Sequence, residues 1–346
     1  MARARRADLT CALIAAAAVV LSAPYSQQWF TGIRSMWPDE ADVLSSAATI
    51  LPASLVLMFA AWRIRDRRLP RYALLAIALA IGLAAARIGD LLVAEEFHFI
   101  EYGVIAIFFY RTWHEAGDLS IVALPLLAGV IVGSLDEIFQ WFIPIRAGEA
   151  RDVGLDLVAT LCGVCLAAAM WPPMTVTRGI PTSSRGRVWQ MLAGAVVAFA
   201  AFFVAVHVGH MVDDPDVGLF YSRYTAGELA RAEAARAVEW RTDPPLELHR
   251  LSREDQYLSE GLWRVRRRNQ ELDSGHADTA WHENRILEKY YAPVLDTSTY
   301  VTPAPSRWST QQRDDVQSRS SNGSVRYESR EYAYPLYLLP SFMDAR

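Results

Sequence analysis

Lysine is almost missing from this chain: among 34 basic residues only Lys289 is a lysine, a bias that reads as Arg- and Ala-rich genome composition rather than as a structural device. Cysteine is nearly as scarce. Cys11, Cys162 and Cys165 all fall inside apolar runs, which leaves the polar C-terminal region without a disulfide framework. The Cys162-x-x-Cys165 pair has apolar neighbours and no accompanying ligand residues, so it reads as helix packing rather than as a metal or redox site. A net charge of only -4 removes bulk electrostatics as a basis for a nucleic-acid partner. There is no Gly-x-Ser-x-Gly and no phosphate-binding loop. His282-Glu283 is not followed by a second histidine at the zinc-protease spacing, which removes the familiar soluble-enzyme signatures.

What the chain does have is apolar mass, 52% of its 346 residues, and the distribution is uneven. Residues 1–210 are dominated by Ala, Val, Leu and Ile, whereas the remainder is rich in Arg, Glu, Asp, Ser and Tyr. Apolar stretches of spanning length cover residues 9–25, 44–62, 72–92, 97–113, 119–142, 153–171 and 188–208. The three arginines in residues 1–6 resemble the start of a signal peptide, but the six later stretches favour a retained first helix.

Arginines cluster in alternate loops: Arg3, Arg5 and Arg6 at the start, Arg63 to Arg71 after the second stretch, Arg178 to Arg187 after the sixth. The opposite loops carry Asp39, Glu40, Asp42, Glu95 and Glu96. The positive-inside rule then places the N-terminus in the cytoplasm and the chain beyond about residue 209 outside. The expected fold class is an all-α polytopic membrane protein of about seven transmembrane helices, with a mainly α-helical C-terminal extracytoplasmic domain carrying a few short strands. Its expected divisions are 1–66 and 67–173 for the first six helices, 174–210 for the last, and 211–346 for the outer domain.

Ionisable side chains in or beside such stretches are costly and therefore mark candidate sites. His98, Glu101 and Tyr102 are spaced i, i+3, i+4 and share one helix face. Asp136 and Gln140 share another, with Glu137 beside them, and a third group holds Arg146, Asp152 and Asp156. The expected topology brings all three groups to the outer surface. There they form either a polar pocket, with Arg146 binding an anionic headgroup and His98 and Glu101 as acid/base groups, or an interhelical network that only holds the helices together. Arg87 and Asp90 read as a pair or as interfacial residues.

At these residues the sequence resembles the VanZ-like membrane protein family. The family pattern is His-x-x-Glu-Tyr, then Asp-Glu-x-x-Gln-x-Phe-x-Pro-x-Arg, then an Asp leading a Gly-containing helix. Here it reads His98 to Tyr102, Asp136 to Arg146, and Asp152, a resemblance covering residues 70–170. The family usually has Asn at the position of Asp156 and Gly at that of Ala159. The resemblance implies an integral protein of the bacterial cytoplasmic membrane, active in the cell envelope. The family's namesake is linked to low-level resistance to the glycopeptide teicoplanin, and no catalytic mechanism is settled for the group. A C-terminal domain is absent from the minimal member, which points to a role of its own in exopolysaccharide or cell-wall biology.

Beyond residue 210, Thr225 and Glu228 form a capping box opening a helix over 224–240. Further helices are expected over 252–272, capped by Ser252 and closed by Gly275, and over 277–291, ended by Pro293. Residues 299–302 and 325–339 read as short strands or an extended wrap, with a turn at 319–324. Trp240, Trp263, Trp281 and Trp308 read as core anchors, with a sugar-stacking platform as the alternative. Arg264, Arg266, Arg267 and Arg268 read as a solvated helix face, or else as a contact to anionic lipid or glycan.

The leading expectation is a non-enzymatic envelope protein. It binds a membrane lipid, a lipid-linked saccharide or a glycan through His98, Glu101, Tyr102, Asp136, Glu137, Gln140, Arg146, Asp152 and Asp156, alongside envelope assembly partners and without a cofactor or metal. The alternative is a membrane enzyme acting on a lipid-linked saccharide or lipid headgroup, with His98 or Glu101 as general acid/base and Asp136 and Glu137 binding a metal or orienting water.

Overall fold

The computed structural model describes residues 2–37, 39–66, 68–89, 93–143, 148–173, 177, 179–243, 253–299, 302, 304–320 and 337–338. They fall into two compact units, Met1–Gln140 with Gly148–Phe203, and Trp141–Ala147 with Val204–Arg346.

The first unit is helical: α1 (Ala2–Met36), α2 (Ala41–Arg63), α3 (Arg68–Gly89), α4 (Val93–Trp113), α5 (Ser120–Trp141), α6 (Ala150–Met170) and α7 (Thr182–His207). Runs of Ala and Leu favour helix intrinsically, and their length supplies enough rise to match a bilayer core of about 30 Å. Six helices, α1–α3 and α5–α7, hold a stretch long and apolar enough to cross a membrane. The seventh expected span, α4, is not among them: Glu95, Glu96, Glu101 and Arg111 interrupt its 21 residues.

Burial divides these helices. More than half of the apolar window is buried in α5 and in α6, against about a tenth in α2, α3 and α7. The latter expose Leu55, Leu83, Trp189 and Val197, an apolar surface that water would penalise and hydrocarbon would not.

Small residues set how closely the central helices approach. A Cβ on Gly163 of α6 would lie 2.6 Å from the Gly103 carbonyl oxygen of α4 and 2.7 Å from Ala106 Cβ. On α5, a Cβ on Gly129 would meet Thr160 Oγ1 at 2.5 Å, and one on Gly133 would meet Asp156 Oδ2 at 2.7 Å. Without a hydrophobic drive between helices in lipid, such close backbone approach is a main source of association. Around these contacts Ala12, Ala16, Tyr102, Ile105, Phe109, Ala128, Val132 and Ala159 form one buried apolar cluster. The loop before α5 is anchored by Asp118, which accepts hydrogen bonds from Ser120 N and Ser184 Oγ, both at 2.7 Å.

The second unit opens with a hairpin that the sequence reading missed. Strand β1 (Val208–Asp214) pairs antiparallel with β2 (Gly218–Ser222), and Tyr337–Leu338, as β3, adds a short parallel strand beside β1. The turn is built by Asp214, whose Oδ1 accepts from Asp216 N and Val217 N at 2.9 Å, and by Gly218 at φ 104°. Asp214 also pairs with Lys289 and, at 2.5 Å, with Tyr290 Oη. Burial alone would raise its pKa, but these donors outweigh that and hold the carboxyl at about 2.

Four helices and a short one follow: α8 (Ala226–Thr242), α9 (Arg253–Asp273), α10 (Ala277–Tyr290), α11 (Ala292–Asp296) and α12 (Thr310–Arg319). The capping box is present, Thr225 Oγ1 accepting from Glu228 N while Glu228 accepts from Thr225 N. Phe220, Leu229, Trp240, Tyr257, Leu262, Ile286 and Val294 belong to the shared core.

Three readings of this region change. The arginine run is not a solvated face, since Arg264, Arg267 and Arg268 are buried and only Arg266 is exposed. Arg264 Nη1 donates to Glu283 Oε2 at 3.0 Å, Arg267 Nε approaches Glu283 Oε1 at 3.3 Å, and Arg268 Nη1 donates to Asn284 Oδ1 at 3.0 Å. Arg264 Nη2 also donates to the Tyr221 carbonyl. Burial draws the Arg268 pKa down to about 10, still charged at neutral pH. Second, Thr299 and Thr302 belong to no strand and bond to each other, Thr299 N to Thr302 O at 2.8 Å and Thr302 N to Thr299 Oγ1 at 3.0 Å, while residues 300 and 301 lie outside the described residues. Third, α12 extends a region for which no helix was expected. Residues 321–336 and 339, which include most of the expected 325–339 strand region, lie outside the described residues. Trp240, Trp281 and Trp308 are buried, which suits anchors better than a sugar platform.

Candidate functional site

Helices α4, α5 and α6 each deliver polar side chains to one buried cluster. The i, i+4 spacing on α4 stacks His98 on Tyr102, with ring centroids 6.0 Å apart and planes 4° from parallel. His98 Nδ1 lies 2.8 Å from Asp156 Oδ1 on α6. Tyr102 Oη donates to Asp136 Oδ2 on α5 at 3.4 Å. Gln140 Nε2, one turn further along α5, donates to the same Asp136 oxygen at 3.1 Å and to Glu137 Oε1 at 3.0 Å. Glu137 Oε2 accepts from the backbone N–H of Glu149 at 2.7 Å, just before the first turn of α6.

Tyr102, Asp136, Glu137, Gln140 and Asp156 are all buried; the His98 side chain, 15% exposed, is the cluster's opening to the surroundings. A charge in such a medium is expensive unless paired, so the His98–Asp156 contact is the least costly way to keep both there. With Asp156 accepting from Nδ1–H, the imidazole lone pair sits on Nε2, the arrangement that suits either a general base or a metal ligand. One donor atom from each of His98, Asp136 and Asp156 lies within 4.8 Å of the other two. The Tyr102 phenol also bonds to the Asp156 carboxyl, whose Oδ2 is buried.

Of the expected site residues, the structure brings together His98, Tyr102, Asp136, Glu137, Gln140 and Asp156. Glu101 and Asp152 are half-buried on α4 and α6 and close enough to act electrostatically on His98. Arg146 lies outside the described residues, as do Asp90 and the side chains of Glu95 and Glu96. Gly129, Gly133 and Thr160, which let α5 approach α6, were not singled out, although Gly129-x-x-x-Gly133 in an apolar run is a helix-packing signal. Cys162 is buried with Sγ 3.4 Å from the Ala78 carbonyl oxygen, a packing position.

A second polar feature of this unit is an open cavity of about 490 Å³ lined by Trp62, Arg63, Arg65, Arg71, His114 and Trp171, among others. The guanidiniums of Arg63 and Arg111 lie over the Trp171 ring at 5.3 and 5.1 Å. Arg71 is buried and committed to the chain itself, donating to Ala169 O at 2.6 Å and Met170 O at 3.1 Å.

Fold and site together define a predominantly helical protein with six helices apolar enough for a membrane and an acid-rich polar cluster among three helices of its first unit. No protein family matches this chain, and no match was found among curated proteins or solved structures.

Proposed function

We propose that this chain is a VanZ-like integral protein of the bacterial cytoplasmic membrane, with seven spans, its N-terminus in the cytoplasm and its second unit outside the cell membrane. The α4–α6 cluster binds the polar head of a lipid-linked saccharide or glycan, in exopolysaccharide or cell-wall biology, alongside envelope assembly proteins. One observation carries this reading: six polar side chains from three helices converge on one another instead of each finding a separate local partner. A hydrogen-bonding ring of imidazole, phenol, amide and carboxylates is suited to sugar hydroxyls, which need both donors and acceptors. Of the α4 charges that exclude it from the six apolar helices, Glu101 is, on this reading, a functional residue of a seventh span.

Lipid and glycan mass spectrometry on the purified chain tests the proposal. A specific lipid-linked saccharide or glycan is expected with the wild type and absent from His98→Gln and Asp136→Asn proteins of equal yield and monodispersity. The same bulk lipids in all three would remove the binding assignment. For topology, a single cysteine at His98, in a background with Cys11, Cys162 and Cys165 replaced, is expected to react with an impermeant thiol reagent only from the outer face.

The His98–Asp156 pair supports a second reading, an enzyme acting on the same lipid-linked saccharide or on a lipid headgroup, because a carboxylate-oriented imidazole is the usual general base. On that reading Glu101→Gln and Asp136→Asn abolish a cellular phenotype while abundance and thermal stability persist.

A further inference from the structure

The acidic cluster holds more negative charge than ligand recognition by hydrogen bonding requires. Asp136, Glu137 and Asp156 are all buried, and His98 is in direct contact with Asp156. Glu137 is engaged by Gln140 Nε2 and by the backbone N–H of Glu149, and Asp136 Oδ2 by Tyr102 Oη and Gln140 Nε2. Asp156 differs. One of its oxygens meets His98 and the Tyr102 phenol is the other group that bonds to this carboxyl, while Oδ2 is buried. That oxygen points at α5 beside Gly133, where a Cβ would stand only 2.7 Å away, and Gly133 is one helical turn from Asp136 on the same face. A buried carboxylate that has one imidazole and the Tyr102 phenol as its neighbours and faces the helix turn of a second carboxylate suits a cation.

The donor spacing fits one. Ligands bound at about 2.0–2.2 Å around a tetrahedral or octahedral ion stand about 3.0–3.5 Å apart. One donor atom from each of His98, Asp136 and Asp156 falls within 4.8 Å of the other two, so shifts of an ångström or so seat the ion. Each ligand comes from a different helix. Tyr102 Oη and Gln140 Nε2, both bonded to Asp136 Oδ2, supply the outer hydrogen bonds that orient a metal-ligating carboxylate.

We propose that His98, Asp136 and Asp156 bind one divalent transition-metal ion, Zn²⁺ or Mn²⁺, with a coordination position left for water or a ligand oxygen. A nitrogen donor with two carboxylates selects these ions over Ca²⁺ and Mg²⁺, which take oxygen alone. Three protein ligands are the number found at open, reactive sites rather than closed structural ones. The inference rests on the reading of the α4–α6 cluster as a ligand site and names the ion that would meet the ligand's oxygen there.

The test uses the full chain in detergent micelles, stripped with EDTA, incubated with ZnCl₂ or MnCl₂, freed of excess and analysed by elemental mass spectrometry. The wild type is expected to retain about one ion per chain, and the Cys11→Ser, Cys162→Ser, Cys165→Ser triple variant the same, which removes thiols as the source. Asp156→Asn and His98→Gln are expected to bind more than about tenfold more weakly. If Asp156→Asn does not accumulate, His98→Gln and Asp136→Asn carry the comparison. A wild type that takes up neither ion, or variants that bind as tightly as the wild type, overturns the proposal. A metal-loaded chain that retains no saccharide or glycan keeps the cation and removes the proposed ligand; a chain that retains the glycan after EDTA and takes up no ion does the reverse.

Discussion

The α4–α6 cluster and the Arg264–Glu283 network are both buried, yet their charges are balanced differently. In the second unit Glu283 sits between Arg264 and Arg267, Arg264 is further shared with Glu260 at 3.3 Å, and Arg268 is held by Asn284 and by Ser306 O at 2.8 Å. Guanidinium forks and carboxylates answer one another, so the charges of that network are paired within the chain and read as architecture. In the first unit three buried carboxylates belong to a cluster whose imidazole contacts Asp156. A polar network whose charges close on themselves stabilises a fold, whereas one that is left acidic awaits a cation, a proton or a ligand.

The largest effect expected from that contrast is in the second unit. Glu283→Gln strands Arg264 and Arg267 and is expected to cost about 3–5 kcal/mol, read as a lowered unfolding midpoint of the full chain by tryptophan fluorescence. A loss under about 1 kcal/mol would show that the two networks do not differ as described. Next, Gly163→Ala pushes α6 away from the α4 backbone and with it Asp156 from His98, at about 1–3 kcal/mol together with weaker ion retention.

Asp214→Asn removes charge-assisted hydrogen bonds at the β1–β2 turn and is expected to cost about 1–3 kcal/mol at neutral pH. Because the folded carboxyl is held at about 2, below its usual 3.8, its stabilisation is full above about pH 4 and disappears as the pH falls through 2. The gap between wild type and variant, measured by unfolding across that range, is therefore expected to close toward the acid end. The smallest stability change is expected for Asp156→Asn, within about 1 kcal/mol, paired with loss of the ion. A large destabilisation without loss of ion would make the first cluster architectural too and dissolve the comparison.

Much of this was legible along the chain. The capping box at Thr225 and Glu228 is a local hydrogen-bond pattern, and α9 and α10 end close to where Gly275 and Pro293 punctuate them. The faces His98 with Tyr102 and Asp136 with Gln140 follow from helical spacing alone. The β1–β2 hairpin was not read, because Asp214-Pro215-Asp216-Val217-Gly218 joins strands of seven and five residues directly after an apolar helix, where the periodic signal was that of the helix. The arginine run was misread for a related reason: four charges within five positions look solvated until Glu283 of another helix is known to stand opposite them.

The sequence by itself determined six of the seven expected apolar segments, roughly where α8, α9 and α10 begin, and which polar residues share a helix face, since those depend on steps of one to four residues along a single backbone. Only the tertiary structure decided that Asp156 meets His98, that Asp136 lies within reach of both, and that Arg264 is buried against Glu283. The pairings of the first unit turn on how closely its helices cross, and that distance is set by the absent side chains of Gly129, Gly133 and Gly163 as much as by any group that is present.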